Sequence, residues 1–187
     1  MPTTSESLLQ RLRQPGDQQA WGRFVKLYTP LLYYWARRAG LQEHDAADLV
    51  QDVLALLLKK LPQFTYEPGH SFRAWLRTVT LNSWRDRRKR RATQPLGDAA
   101  GLDELAVPDN LSEFEETEYR RRLAAKALHL MQTDFQPATW KACWALVVEG
   151  RSPEAVAADL GMSVGAVYVA KFRVLTRLRQ ELAGLLD

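Results

Sequence analysis

The chain has a single cysteine and no long hydrophobic run, and both features restrict the classes of protein to which it can belong. Cys143 is the only cysteine among 187 residues, which excludes a disulfide scaffold. It lies in the apolar run ACWALVV, where a lone thiol is expected to pack as a core side chain in a reducing compartment. That run and VLALLL fall far short of the roughly 20 apolar residues that span a bilayer. The first residues also lack a basic segment followed by an apolar one, so we expect a cytoplasmic protein without a membrane-spanning helix.

The alternation of apolar and polar residues that is typical of a half-buried strand is also absent. Apolar residues recur instead at spacings of three and four, which predicts an all-α fold. In the first half of the chain this spacing predicts helices over residues 17–39, 45–61 and 72–91, the last one beginning after the N-cap Ser71. These helices predict an N-terminal helical bundle over residues 1–91.

Basic residues are missing from residues 92–118, which hold eight acidic residues and no lysine or arginine. Proline and glycine are frequent in the first part of this stretch, which predicts an acidic linker over residues 92–110. Ser112 and Glu115 then have the spacing of a capping box. We therefore predict a second small domain over residues 111–187, a four-helix module with a helix-turn-helix.

The helix-turn-helix is predicted in the last part of the chain. Ser152 and Ser163 are N-caps of a short and a longer helix, with Gly161 in the turn between them. In such a pair the second helix enters the major groove, and from Ser163 to Arg179 it carries four basic residues and no acid. The side chains near enough to reach base edges are Tyr168, Val169, Phe172 and Arg173. The alternative is a helix pair inside a bundle with a solvated basic face.

Residues 72–91 form a second basic segment. On a helix, one face is predicted to carry Arg73, Arg77, Thr80, Trp84, Arg87, Arg88 and Arg91. Such a face can bind nucleic-acid phosphates, and Trp84 or Tyr66 could stack on an unpaired base. The alternative is a solubilising run at a helix C-terminus, where cations favour the helix dipole. Two separate basic surfaces on either side of an acidic linker favour nucleic-acid binding.

The outer face of the second predicted helix is acidic and carries Asp45, Asp48 and Asp52 beside His44. This group raises the alternative of a metal-dependent nuclease. Carboxylates on the exposed side of one straight helix are not expected to converge on a point, and no nucleophile with a base can be assembled from His44, His70 and His129. We expect no metal, no cofactor and no catalytic residue. The face is interpreted as solvated or as a docking surface for a basic partner, and His129 as a core or boundary residue.

Three segments in this order resemble the sigma-70 family of bacterial RNA polymerase initiation factors, and specifically its small two-domain extracytoplasmic-function class. The segment DAADLVQDVLALLLKKL looks like the region that docks on core polymerase. FRAWLRTVTLNSWRDRRKRR is similar to the segment that melts and reads the minus-10 element. GRSPEAVAADLGMSVGAVYVAKFRVLTRLR resembles the domain that reads the minus-35 element, and the resemblance to the family extends over nearly the whole chain.

With the basic faces described above, this resemblance implies three sets of site residues. The core polymerase set is Asp48, Gln51 and Asp52. The minus-10 set is Arg73, Trp75, Arg77, Asn82, Trp84, Arg87, Arg88 and Arg91. The minus-35 set is Ser163, Tyr168, Val169, Lys171, Phe172, Arg173 and Arg177. The chain departs from the family at Tyr168, Val169 and Ala170, where polar or basic residues are usual, and at Trp84, where a smaller residue is common.

The resemblance and the charge pattern together predict a sigma factor that is not an enzyme. It is expected to bind core RNA polymerase, to read the minus-35 duplex, and to capture the melted minus-10 strand near residues 63–71. Promoter DNA and core RNA polymerase are the expected partners, and an anti-sigma protein is a further candidate. The alternative is a stand-alone helix-turn-helix regulator that binds duplex DNA through residues 152–182 and leaves the polymerase's own factor in place.

Overall fold

A computed structural model describes residues 7–65, 71–92 and 113–185, and every regular element in these ranges is helical. The helices are α1 (Leu8–Leu12), α2 (Gln18–Arg38), α3 (Glu43–Lys60), α4 (Phe72–Ala92), α5 (Glu113–Leu130), α6 (Pro137–Val147), α7 (Pro153–Leu160) and α8 (Val164–Glu181). Short 3₁₀ turns follow α3 at Leu61–Gln63 and α5 at Gln132–Asp134. The all-α prediction is confirmed for the described residues.

Local capping signals explain why the predicted helices begin close to the observed ones. The hydroxyl groups of Ser71, Ser152 and Ser163 each accept a hydrogen bond from a backbone N–H three residues later, at 3.1, 3.2 and 3.1 Å. Gly161 ends α7 with φ 64°, a left-handed conformation that favours glycine. The turn between α7 and α8 is therefore specified by residues within it.

Helix α1 was not predicted from the sequence, although its signal is present. Ser7 and Gln10 form a capping box in which the Ser7 hydroxyl accepts from the Gln10 N–H at 3.3 Å and the Gln10 side chain accepts from the Ser7 N–H at 2.9 Å. Leu8, Leu9 and Leu12 are buried and belong to the larger hydrophobic core. The serine and glutamine at this spacing, with the apolar pair Leu8 and Leu9 between them, could have identified the helix.

The larger core is built around aromatic side chains of α2 and α4. Phe24 and Tyr28 stack with ring centroids 4.7 Å apart, and Phe72 meets Tyr28 edge-on at 5.6 Å. The same core continues through Leu128 and Cys143, so helices from both halves of the chain share it. The predicted burial of Cys143 is confirmed, and this burial raises the pKa of its thiol to about 11.

A buried ionic network also joins α2 to the C-terminal helices. The Arg23 guanidinium donates to Glu181 at 2.9 Å and to Asp134 at 2.5 Å, and Arg23 and Glu181 are 7% and 1% exposed. Burial alone would lower the pKa of Arg23, but the hydrogen bonds to the two carboxylates outweigh it, so the pKa lies above its ordinary value. Nearby, the Tyr28 hydroxyl donates to the Leu185 carbonyl at 3.2 Å.

Several predictions fall outside the described residues. These are the acidic linker beyond Ala92, the Ser112 cap with the side chain of Glu115, and Tyr66, His70 and the side chain of Arg91. The division of the chain into two domains stays a prediction. Within the described ranges, no single helix is long and apolar enough to cross a membrane, and α7 with α8 meets that test only as a pair bent by 100°.

Candidate nucleic-acid interface

The helix-turn-helix has a small core of its own that fixes the orientation of α8. Val156 and Ala157 of α7 are buried against Val167 and Ala170 of α8, together with side chains of α6. Residues 167, 170, 174 and 178 face inward at helical spacing, which leaves residues 168, 169, 172 and 173 on the outward side. The apolar pattern of α8 predicts an inward face of Ala166, Val167, Val174 and Leu178, of which the last three are buried and Ala166 is only partly buried.

The outward face of α8 brings together most of the predicted minus-35 residues. Tyr168, Val169 and Phe172 are 51%, 48% and 69% exposed, and Arg173 beside them is exposed as well. Lys171 is half-buried at the edge of this face, and Ser163 lies at the start of the helix, where its hydroxyl caps the first turn. These side chains form one apolar and basic surface, which we call the α8 outer face.

Arg177 does not belong to the α8 outer face, and its predicted contact with minus-35 DNA needs correction. Its guanidinium lies 2.9 Å from Glu181, one turn later on the same helix, in an ion pair without hydrogen-bond geometry. Glu181 is the buried acid that also binds Arg23. Arg177 therefore contributes to the interior ionic network, because a buried carboxylate requires opposite charge around it.

The residues that the sequence placed on one continuous basic face of α4 lie on two sides of the helix. One side faces solvent and the other faces neighbouring helices. The exposed polar and charged side chains of α4, among those the structure describes, are Thr78, Asn82, Arg85, Asp86, Arg88, Lys89 and Arg90. Thr80, predicted on the basic face, is 3% exposed and donates its hydroxyl to the Leu76 carbonyl at 2.8 Å. The face containing Thr80 is turned toward neighbouring helices because α4 packs on α3 along it.

Five predicted minus-10 residues are only partly exposed, namely Arg87 and the four that follow. Arg73 lies over the Tyr119 ring of α5 at 4.3 Å, and Trp75 packs at 4.6 Å from the Phe64 ring. Trp84 packs against the larger core. It lines a small cavity together with Trp35, Leu49 and Arg77. The Arg88 guanidinium lies 5.9 Å from the Trp84 ring on its outer side.

The acidic face of α3 and the arginine of α4 contact each other. Arg87 donates to Asp52 at 2.9 Å and to Asp48 at 3.0 Å, and its guanidinium lies 4.0 Å from Asp45. Gln51 is exposed beside them. The structure thus pairs two residues of the predicted polymerase set with one residue of the predicted minus-10 set, which the sequence analysis assigned to separate surfaces.

The same acidic face contains the one group of metal-ligand type found among the described residues. Ligand atoms of His44, Asp45 and Asp48 all lie within 4.8 Å of one another, so the expectation that the carboxylates of this face do not converge is wrong for Asp45 and Asp48, whereas Asp52 lies outside this group. The Arg87 guanidinium already supplies positive charge to Asp48 there. The interpretation of His129 as a core or boundary residue also needs correction. Its side chain is exposed, and its ring lies 6.1 Å from that of Trp144.

Comparisons with known proteins find one matching family and several similar proteins. The sequence model of the family described as Sigma-70 region 2 matches residues 24–94. The RNA polymerase sigma factor CnrH of Cupriavidus metallidurans is 32% identical over all of this chain and 96% of its own length. The ECF RNA polymerase sigma factor ShbA of Streptomyces griseus is 30% identical over 88% of each chain.

A solved structure of CnrH in complex with the cytosolic domain of CnrY is also similar in sequence, with 28% identity over 96% of this chain and 95% of that one. Its TM-score is 0.37. On the sequence relationships, the chain belongs to the sigma-70 family of RNA polymerase sigma factors, in the extracytoplasmic-function class.

Proposed function

We propose that this sigma factor binds core RNA polymerase through α3, captures the melted minus-10 strand with α4 and the chain before it, and reads the minus-35 duplex with α8. Its partners are then core RNA polymerase and promoter DNA in the cytoplasm, with an anti-sigma protein as a candidate regulator. It acts by binding, as an initiation factor does, and not by catalysis.

The main structural support for this proposal is the exposure of the α8 outer face. A helix held by a helix-turn-helix core leaves Tyr168, Val169, Phe172 and Arg173 exposed on one side. This is the side from which the second helix of such a motif contacts base edges. Arginine and apolar side chains both make base contacts in the major groove.

The exposed side of α4 supports the second part of the proposal. Arg85, Arg88, Lys89 and Arg90 project into solvent near the end of that helix, and Asn82 lies one turn before them. A cluster of cations attracts phosphates at any sequence and makes affinity depend on salt. The structure leaves these side chains accessible, in contrast to the partly buried Arg73, Arg77 and Trp84.

The acidic surface of α3 supports the proposed binding of core RNA polymerase. Asp52 is 61% exposed at its side chain and Asp48 39%, so both can still meet a basic partner while they contact Arg87. Charge complementarity of this kind increases the association rate and selects the partner. The exposed Gln51 adds a neutral donor and acceptor beside the two carboxylates.

In vitro transcription with purified core polymerase on genomic fragments tests the proposal. We expect products that start at discrete sites and that depend on the added chain. Replacement of Arg173 by alanine should weaken use of the upstream element by about 1–3 kcal/mol. The matched variant Arg13→Ala removes an exposed arginine outside the three surfaces and should have no effect.

Tight binding of duplex DNA by the chain alone, without discrete products in the presence of core polymerase, would contradict the proposal. That result would favour a stand-alone helix-turn-helix regulator.

A further inference from the structure

The α8 outer face is unusually apolar for a surface that is also basic. Eight large hydrophobic side chains are markedly exposed in the described structure, and four of them lie within the first three turns of α8. They are Val164, Tyr168, Val169 and Phe172. A helix that only faced solvent would gain nothing from this patch, and contiguous exposed apolar side chains mark a binding surface.

Spacing and charge show what kind of surface could cover this patch. Residues 165, 168, 169, 172 and 173 repeat at intervals of three and four, so they share one stripe of α8. Arg173 lies in the stripe, Lys171 borders it, and Arg179 is exposed further along the helix. A cationic border around an apolar centre complements the major groove, which has phosphates at its edges and base edges at its floor.

We propose that α8 selects its upstream element largely through the 5-methyl groups of thymine, with Val169 and Tyr168 as specificity-determining residues and Phe172 extending their contact. This inference rests on the proposed reading of the minus-35 duplex by α8. The thymine methyl is the apolar group that base pairs present in the major groove. Val169 has no polar side-chain atom, so its discrimination between bases must come from such an apolar contact.

Gly165 provides independent support for a close approach to the groove. A Cβ built on this residue would meet only the Ser163 Oγ atom, at 3.9 Å, so packing within the chain does not require glycine. Glycine in a helix costs about 0.8–1.0 kcal/mol relative to alanine. The missing side chain leaves the first turn of α8 bare beside Tyr168 and Val169, where a DNA backbone or base edge can approach.

Removal of single methyl groups from the DNA tests this proposal. The full chain with core polymerase first selects promoters from a pool with a randomised upstream segment. Each thymine of the selected upstream element is then replaced by deoxyuridine, which removes the methyl group and keeps every hydrogen-bonding group. We expect an approximately fourfold loss of affinity at each contacted thymine, the factor for burying about one methyl group.

Variants of α8 then assign the effect to side chains. At one position, Val169→Ala should reduce the ratio of the affinities for thymine and deoxyuridine DNA toward one. The melting temperature of the protein should not change, because the Val169 side chain is exposed. Val169→Thr keeps the shape but replaces a methyl with a hydroxyl, and should give an intermediate difference. The control Arg173→Ala should weaken binding to both DNAs by the same factor.

Each outcome bears on one of the two proposals. Failure to select any upstream element would contradict the reading of duplex DNA by α8. Selection of an element at which thymine and deoxyuridine bind equally would overturn the methyl proposal alone. Unchanged thymine preference in Val169→Ala, Tyr168→Ala and Phe172→Ala would also overturn it, and would favour a protein partner as the occupant of the patch.

Discussion

Arg87 shows how the role of one side chain depends on residues distant in the sequence. The basic pattern of α4 assigns it to DNA, but its side chain is 22% exposed and its guanidinium contacts Asp48 and Asp52. These acids precede it by 39 and 35 residues. A helical-wheel argument considers one helix at a time, so it can place Arg87 on a face without identifying what covers that face.

We expect replacement of Arg87 by alanine to affect polymerase binding and not DNA binding. The ion pairs are partly solvated, so stability should fall by about 1 kcal/mol or less. Loss of the competing cation leaves the α3 acids more negative, which should speed association with core polymerase. Surface-immobilised core polymerase measures this rate, and promoter fragments titrated at several salt concentrations measure the DNA contact.

Arg88→Ala is the matched control because Arg88 is exposed on the same helix. It should reduce the steepness of the plot of log DNA affinity against log salt concentration by about one, and it should leave the association rate with polymerase unchanged. If Arg87→Ala lowers that salt dependence as Arg88→Ala does, Arg87 contacts phosphate in the complex and the intramolecular pairing is not its role.

Asp17 is a second residue whose role can be tested, in this case by pH. Its carboxylate accepts from Arg11 at 2.9 and 3.1 Å and caps α2 by accepting from the Ala20 N–H at 2.9 Å. The hydrogen bond from Arg11 and that from Ala20 hold the pKa of Asp17 below its ordinary value of 3.8. A lowered pKa in the folded state stabilises the fold above the ordinary pKa, and this contribution is lost as pH falls through the folded-state value.

Asp17→Asn should therefore be less stable than the parent chain at pH 7, and the difference should shrink as the pH falls below 3.8. Asparagine is a good N-cap, so this variant removes the charge and keeps the cap. Asp17→Ala removes both and should cost about 1 kcal/mol more. Urea unfolding from pH 7 to pH 3 measures the differences, and a constant difference across this range would exclude the Asp17 charge as its cause.

At the scale of single helices, the sequence predicted bounds better than it predicted which side faces inward. For α8 the outward side was predicted correctly although it is also apolar, and the residues that pack inward on the opposite side are Val167, Ala170, Val174 and Leu178. In α4, arginines and a tryptophan surround the helix toward its C-terminal half, so the hydrophobic pattern there is weak. The inward side of α4 is set by packing on α3, and this explains why Thr80 and Trp84 were placed on the wrong side.

Trp84 is the residue of α4 whose role this packing changes most. Replacement by alanine should destabilise the protein by about 1–3 kcal/mol, less than full burial of such a ring would imply, because Trp84 remains partly exposed. Thermal unfolding measures this loss. Arg85→Ala is the control, since it removes an exposed side chain one residue away and should leave the melting temperature unchanged.

A pre-melted template separates packing from base stacking in the same variant. If the indole also stacks on an open base, Trp84→Ala should lose about 1–3 kcal/mol in affinity for single-stranded minus-10 DNA, and a bubble template should restore much of the lost initiation. Normal opening of closed promoters by Trp84→Ala, together with a lowered melting temperature, would assign the ring to core packing alone.

At the scale of the whole molecule, the ionic network and the shared core connect parts that the sequence presents as separate. Arg23 is 111 residues from Asp134 and 158 from Glu181, and in the sequence Arg23 and Glu181 each resemble an ordinary surface charge on an amphipathic helix. Burial of such groups is unusual, and it becomes favourable only through pairing in three dimensions. Sequence patterns could predict the helices on each side of the acidic stretch, but not this contact between them.

The ionic network joins α2 to the C-terminal part of the chain and therefore restrains their separation. If polymerase and the two promoter elements require the α4 surface and the α8 outer face to separate, the Arg23–Glu181 contact opposes binding. Glu181→Gln removes the acid that holds Arg23 and Arg177, and a broken buried pair costs about 3–5 kcal/mol. We expect a lower melting temperature, a larger radius of gyration in small-angle X-ray scattering, and tighter binding to core polymerase. Arg179→Ala, an exposed charge change two residues away, should alter none of the three. A Glu181→Gln chain that is less stable but equally compact, with unchanged polymerase affinity, would show that the network stabilises the fold without restraining the two DNA-binding surfaces.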